Sequence, residues 1–253
     1  MSSLLFALVV AVLAFGAGLL GLKLHDWLPE KHAPDRSREM IGAMTGMLSL
    51  LLAIVLGTLV GAAYSGYATH KTEMETMNAR ALQLDSALAS FGPEGQMGRD
   101  GLKKAITQSY NKIWGGERPD FSGLDLKSFV IGFRVLDQYL GSLTPTTDVQ
   151  KQALATANAA AAQLELTQIL TNLQLASGVN WPMLTIVMCW SLLLFCGYGL
   201  VSPVNATVVV SMALGAIAVG SAVFLIIELT NPYAGLIKLS PGAIVETINA
   251  LGS

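Results

Sequence analysis

Residues 47 to 63 read MLSLLLAIVLGTLVGAA, and they run directly into YSGYATHKTEMETMNARALQLDSALASFG, residues 64 to 92. The first seventeen carry no charge. With the uncharged residues before them from Met40, they are long enough for an α-helix to cross a hydrocarbon core about 30 Å thick. Beyond Ala63 the helix-forming residues continue but charges enter. The same helix is therefore predicted to leave the bilayer and continue until Gly92, Pro93 and Gly95 stop it.

The rest of the chain repeats the pattern. Of the 253 residues 53% are hydrophobic and 13% charged, and the mean hydropathy is +0.55. Charges are absent from residues 1–22, 40–69 and 166–227. These gaps hold four predicted spans, at 4–22, 40–63, 181–200 and 207–227. The last two are separated only by VSPVNA, whose Pro203 and Asn205 favour a turn, so they form a tight hairpin. Trp27 and Trp181 lie at span edges, where indole rings prefer the headgroup layer. No basic residue precedes the first apolar run, so that span is read as retained rather than cleaved.

Between the second and third spans the residues predict helices and no strands. After the extension of the second span these are Arg99 to Trp114, a helix through LDLKSFVIGFRVLDQYLG, and a long one through VQKQALATANAAAAQLELTQILTNLQLASG. The last is alanine-rich and only weakly amphipathic, so it needs partners, either the other helices or copies of itself.

The expected fold is thus an all-α integral membrane protein with four transmembrane helices per subunit and a long helical extramembrane insert between the second and third. The expected domains are a first transmembrane pair (1–63), a helical extramembrane domain (64–180), a second transmembrane hairpin (181–228) and an amphipathic C-terminal tail (229–253). The insert, the N-terminus and the tail share one side. Lys23, Lys31, Arg36 and Arg38 on one side against Lys71, Arg80 and Lys238 on the other leave the orientation open.

Several function classes find no support. The net charge is −2 and there is no glycine-rich phosphate loop, so neither nucleic acid nor nucleotide is an expected ligand. His25, His32 and His70 are scattered, and Cys189 and Cys196 share a span without acid or histidine neighbours. No metal site, cofactor or catalytic set is expected, and the chain is read as not an enzyme.

Two features draw a functional reading. Along the second span Gly42, Gly46, Ser49, Ala53, Gly57, Gly61 and Tyr64 fall on one side of the helix, with Thr45 beside them. Such a stripe suits close helix packing, and it also suits a pore, which needs room and uncharged hydroxyls. In a ring of subunits the two are compatible. The second feature is Glu228, an acid ending a long apolar run. Asn231 and Pro232 end the helix there and Gly235 allows a turn. Glu228 is expected to pin this corner by pairing with His70 or Lys71, or by accepting N–H groups from the tail, LIKLSPGAIVETINAL.

Four ordered stretches, TGMLSLLLAIVLGTLVGAAYSGY, LDSALASFGPEG with Arg99 and IWGG after it, PVNATVVV, and IIELTNPYAGLIKLS, together resemble the bestrophin-like DUF4239 membrane family. The resemblance implies an oligomeric anion-channel architecture with four spans per subunit and a pore lined by the second. The aromatic constriction of bestrophins is not matched, since the second span has no Phe, and an acidic calcium clasp is not seen.

The leading expectation is an oligomeric ion channel of undetermined selectivity, with anions favoured by the resemblance. Two alternatives stand beside it: a structural or regulatory membrane protein without transport, and a proton-channel scaffold resembling stator proteins. The last is disfavoured because no ionisable residue lies near the centre of a span. The expected partners are the lipid bilayer, monovalent ions and further copies of the chain, with a pentamer as the homo-oligomer considered. The expected location is a bacterial inner membrane.

Overall fold

A computed structural model describes residues 3–27, 35–116, 126–176 and 180–252. Within them the chain is helical, with no strand: α1 (Ser3–Trp27), α2 (Asp35–Phe91), a 3-10 turn at Pro93–Gly95, α3 (Gln96–Trp114), α4 (Leu126–Ser142), α5 (Asp148–Ala176), α6 (Trp181–Val201), α7 (Ala206–Thr230) and α8 (Gly242–Ala250). Four of these, α1, α2, α6 and α7, are long and apolar enough to cross a membrane. The predicted run from the second span to Phe91 is one uninterrupted helix, starting five residues earlier than expected.

The helix ends follow the local chemistry. Asn180 caps α6 by accepting from Met183 N, and Pro182 occupies the first turn, where a missing N–H costs nothing. Asn205 caps α7 through Val208 N at 2.8 Å. Gly178, expected to interrupt the chain here, lies outside the described residues. Gly92 ends α2 with φ of 112°, a conformation that an L side chain rarely adopts.

The chain divides into two compact units, residues 1–67 with 179–231, and residues 68–178 with 232–253. In the first, α1 packs against both α6 and α7. The crossing with α6 is made by glycines. A Cβ on Gly21 would collide with the Cys196 carbonyl oxygen, and one on Gly199 with that of Gly18. On the α7 side, a Cβ on Gly220 would meet Ala11 Cβ at 2.9 Å. These contacts let backbones approach closely in a setting where hydrophobicity gives no drive between helices. Leu48, Leu52, Val55, Leu56 and Leu59 turn one side of α2 toward this core, against Ala14, Val187, Leu194, Phe195 and Ala216.

The second unit holds the charged half of α2, with α3, α4, α5 and the tail. Leu84, Ala87 and Leu88 of α2 pack with Leu140 of α4 and with Ala157, Ala160, Ala161 and Leu164 of α5. The α2–α3 turn is tight. Tyr139 Oη donates to the Glu94 carbonyl at 2.6 Å, and Gln150 Nε2 to that of Phe91 at 3.0 Å. Arg99 grips Asp85 with both arms, at 2.9 and 3.0 Å. The tail is part of this unit: Leu239, Ile244 and Leu251 are buried, and Lys103 Nζ donates to the Leu251 carbonyl.

Candidate functional site

The stripe on α2 separates into parts with different surroundings. Thr45 is buried; its hydroxyl donates to the Ile41 carbonyl at 2.7 Å, and its side chain abuts Gly197 of α6, which has no room for a Cβ. Thr45 therefore belongs to the packed side of the helix. Gly42, Gly46 and Ser49 are half-buried, and Ala53, Gly57, Gly61 and Tyr64 are exposed. A Cβ placed on Gly42, Gly46, Gly57 or Gly61 would meet nothing within 4 Å. Where Gly18 and Gly21 of α1 and Gly197 and Gly199 of α6 sit in close contact, α2 holds these glycines in the open.

The membrane-length part of α2 is the least buried of the four. Of its most apolar window 6% is buried, against 28% for α1 and 33% each for α6 and α7. Leu50 and Ile54 are 68% and 64% exposed beside the small residues. The hydroxyl of Thr58 donates back to the Val55 carbonyl at 2.9 Å, so its donor is used within the helix. Near the start of α2 a recess of about 310 Å³ is lined by Ser37, Met40, Ile41, Met44 and Thr45.

Glu228 lies in the last turn of α7. It is 1% exposed, two residues before the end of α7, and takes a hydrogen bond from the Ser3 hydroxyl at the start of α1. Sequence separation of 225 residues hid this partner, and nothing local to Ser3 could have signalled it. Hydrogen bonds close the turn that follows it. Asn231 N donates to the Glu228 carbonyl at 3.2 Å, and Asn231 Nδ2 to that of Ile227 at 2.9 Å. Leu239 N closes the loop onto the Pro232 carbonyl at 2.8 Å, and Gly235 has φ of 96°.

His70 and Lys71 belong to the other unit. Lys71 faces Glu75 at 4.0 Å on an exposed surface. His70 is buried. Its Nδ1 lies 3.3 Å from Glu73 Oε2 but out of line for a hydrogen bond, so proximity and pairing differ here. The same Glu73 oxygen accepts the Thr171 hydroxyl at 3.0 Å. Tyr233 lies 6.5 Å from the His70 ring and meets Trp114 edge-on at 6.0 Å, while Trp114 Nε1 donates to the Leu239 carbonyl. Burial, reinforced by the Glu73 charge, pushes the Tyr233 hydroxyl up to about 12. The Arg99 guanidinium is raised above its ordinary value, first by its hydrogen bonds to Asp85.

Four membrane-length helices in the order two, helical segment, two, with an open small-residue face on the second, are the features to compare with known proteins. The bestrophin-like domain matches residues 9–244. The chain belongs to the bestrophin-like family. No curated protein and no solved structure matches it. The family match spans the open face of α2, the Asp85–Arg99 clamp and the Glu228 corner of this bestrophin-like protein alike.

Proposed function

We propose that this bestrophin-like chain is the subunit of an oligomeric ion channel whose axial path is bordered by the small-residue face of α2. The observation that carries the proposal is the openness of Ala53, Gly57, Gly61 and Tyr64 on a helix long enough to span the bilayer. A Cβ on Gly57 or Gly61 meets nothing within 4 Å, while Gly18, Gly21, Gly197 and Gly199 of α1 and α6 are in close contact. Around a symmetry axis, the same face gives neighbouring helices close approach and leaves bore between them.

On this reading residues 64–180 form the extramembrane insert and a vestibule to the path, and the chain conducts rather than catalyses. The stripe offers no charged ring, so discrimination between ions falls to charges outside the span. Family membership favours small monovalent anions as the cargo. Purified protein in liposomes should release a chloride load and run as a closed ring of subunits with an axial opening. A monodisperse monomer, or vesicles as tight as protein-free ones, would overturn the proposal.

A further inference from the structure

Helix α5 carries apolar residues on two opposite sides, which is why it looks weakly amphipathic along its length. One side, with Ala153, Ala157, Ala160, Ala161 and Leu164, is buried within the chain. Half a turn away, Ala155, Ala159, Ala162, Leu166, Ile169 and Leu173 recur at alternating steps of four and three residues. That spacing keeps them in one straight seam, the arrangement by which one helix receives another. All but the partly buried Ile169 are exposed, Leu166 and Leu173 by 58% and 56%, and no described residue covers them. No polar residue interrupts the seam between its ends.

We infer that this seam is an interface with a second copy of the chain, an inference that rests on the oligomeric reading above. Three features select that occupant. Alanine at three of the six positions lets a facing helix come close, near the short end of the usual range of about 8–10 Å between axes. The borders are nearly uncharged, with Asn158, Gln163 and Asn172 beside the single acid Glu165, so identical surfaces meet without like-charge repulsion. Size is the third. At about 27 Å long and about 10 Å wide the seam offers on the order of 270 Å², well short of the roughly 800 Å² per partner of a stable interface. It is too small to retain a free soluble protein. A copy already anchored in the same bilayer needs less, because its effective concentration is high.

The test places a benzophenone maleimide on single cysteines in a Cys189→Ser, Cys196→Ser background. Ala159→Cys and Leu166→Cys report from the seam, and Lys104→Cys, exposed on α3, is the reference. On irradiation in liposomes the two seam positions should give covalent dimers and higher species at least fivefold more abundant than the reference. Adducts with lipid, or cross-links confined within one chain, would overturn the inference. Native mass of the unlabelled protein, taken in parallel, separates the two levels. A ring whose seam labels stay uncoupled refutes the seam alone, whereas a monomer refutes the ring and the seam together.

Discussion

The Ser3 hydroxyl donates to the Glu228 carboxyl group, tying the first turn of α1 to the last turn of α7. α1 has no acid of its own in its first turn, and Glu228 places a carboxyl group beside the start of that helix. Buried at 1% exposure, the carboxyl group has little water to fall back on. Removing the hydroxyl in Ser3→Ala should cost about 1–3 kcal/mol, and Glu228→Leu more than Glu228→Gln, which keeps an acceptor. Thermal melts of Ser3→Ala, Glu228→Gln and the double variant should show non-additive losses, with ion selectivity unchanged. Additive losses, or altered selectivity with unchanged melting, would detach Glu228 from α1.

The two sets of membrane glycines should respond in opposite ways. Gly21→Val drives side-chain carbon into the Cys196 backbone, and Gly199→Val does the same against Gly18, so each should lower stability by about 3 kcal/mol. A Cβ on Gly57 or Gly61 meets nothing within 4 Å, so Gly57→Val and Gly61→Val should leave stability within about 0.5 kcal/mol. If the open face borders the path, the latter pair should cut flux at least tenfold. Flux at the parental rate from well-assembled Gly57→Val would exclude that face from the path.

Arg99 and Asp85 form a two-armed pair in which the side chains are 12% and 9% exposed. Breaking one side leaves a buried charge without its counterpart, at a cost of about 3–5 kcal/mol. Arg99→Ala should therefore unfold the unit around the α2–α3 turn first. Arg99→Lys should restore only part of the loss, because an ammonium cannot reproduce the planar fork. Hydrogen exchange across residues 80–105 measures both. Protection equal to that of the parent in Arg99→Ala would show the clamp to be dispensable.

The spans were legible because each is an uncharged run with its own length, and that information is local. The α2 extension was legible for the same reason: nothing between Ala63 and Phe91 stops a helix, and Gly92 does. What sequence left open depends on which faces meet. The glycine pairs of α2 look no different along the chain from Gly18, Gly21 and Gly199, yet only the latter are in close contact. The two sides of α5 cancelled in its periodicity, so the side that packs on α2 and α4 could not be told from the exposed one. Ser3 and Glu228 meet only because α1 and α7 pack together.

Tyr233 gives the tail a measurable alkaline signature. The hydroxyl holds its proton up to about pH 12 in the folded chain, against an ordinary value of 10.0. A folded-state value above the unfolded one means that the tyrosine's contribution is fully present below pH 10. Between pH 10 and 12 the unfolded chain ionises while the folded chain does not, so stability falls through that window. Two units correspond to about 3 kcal/mol as an upper order of magnitude. Thermal melts from pH 8 to 12.5 should show a steep decline in the parent above pH 10, and Tyr233→Phe should flatten part of it. Ultraviolet titration should find one of the six tyrosines ionising only as the protein unfolds. If Tyr233→Phe declines as steeply as the parent, the buried hydroxyl beside Glu73 is not what holds the tail through that range.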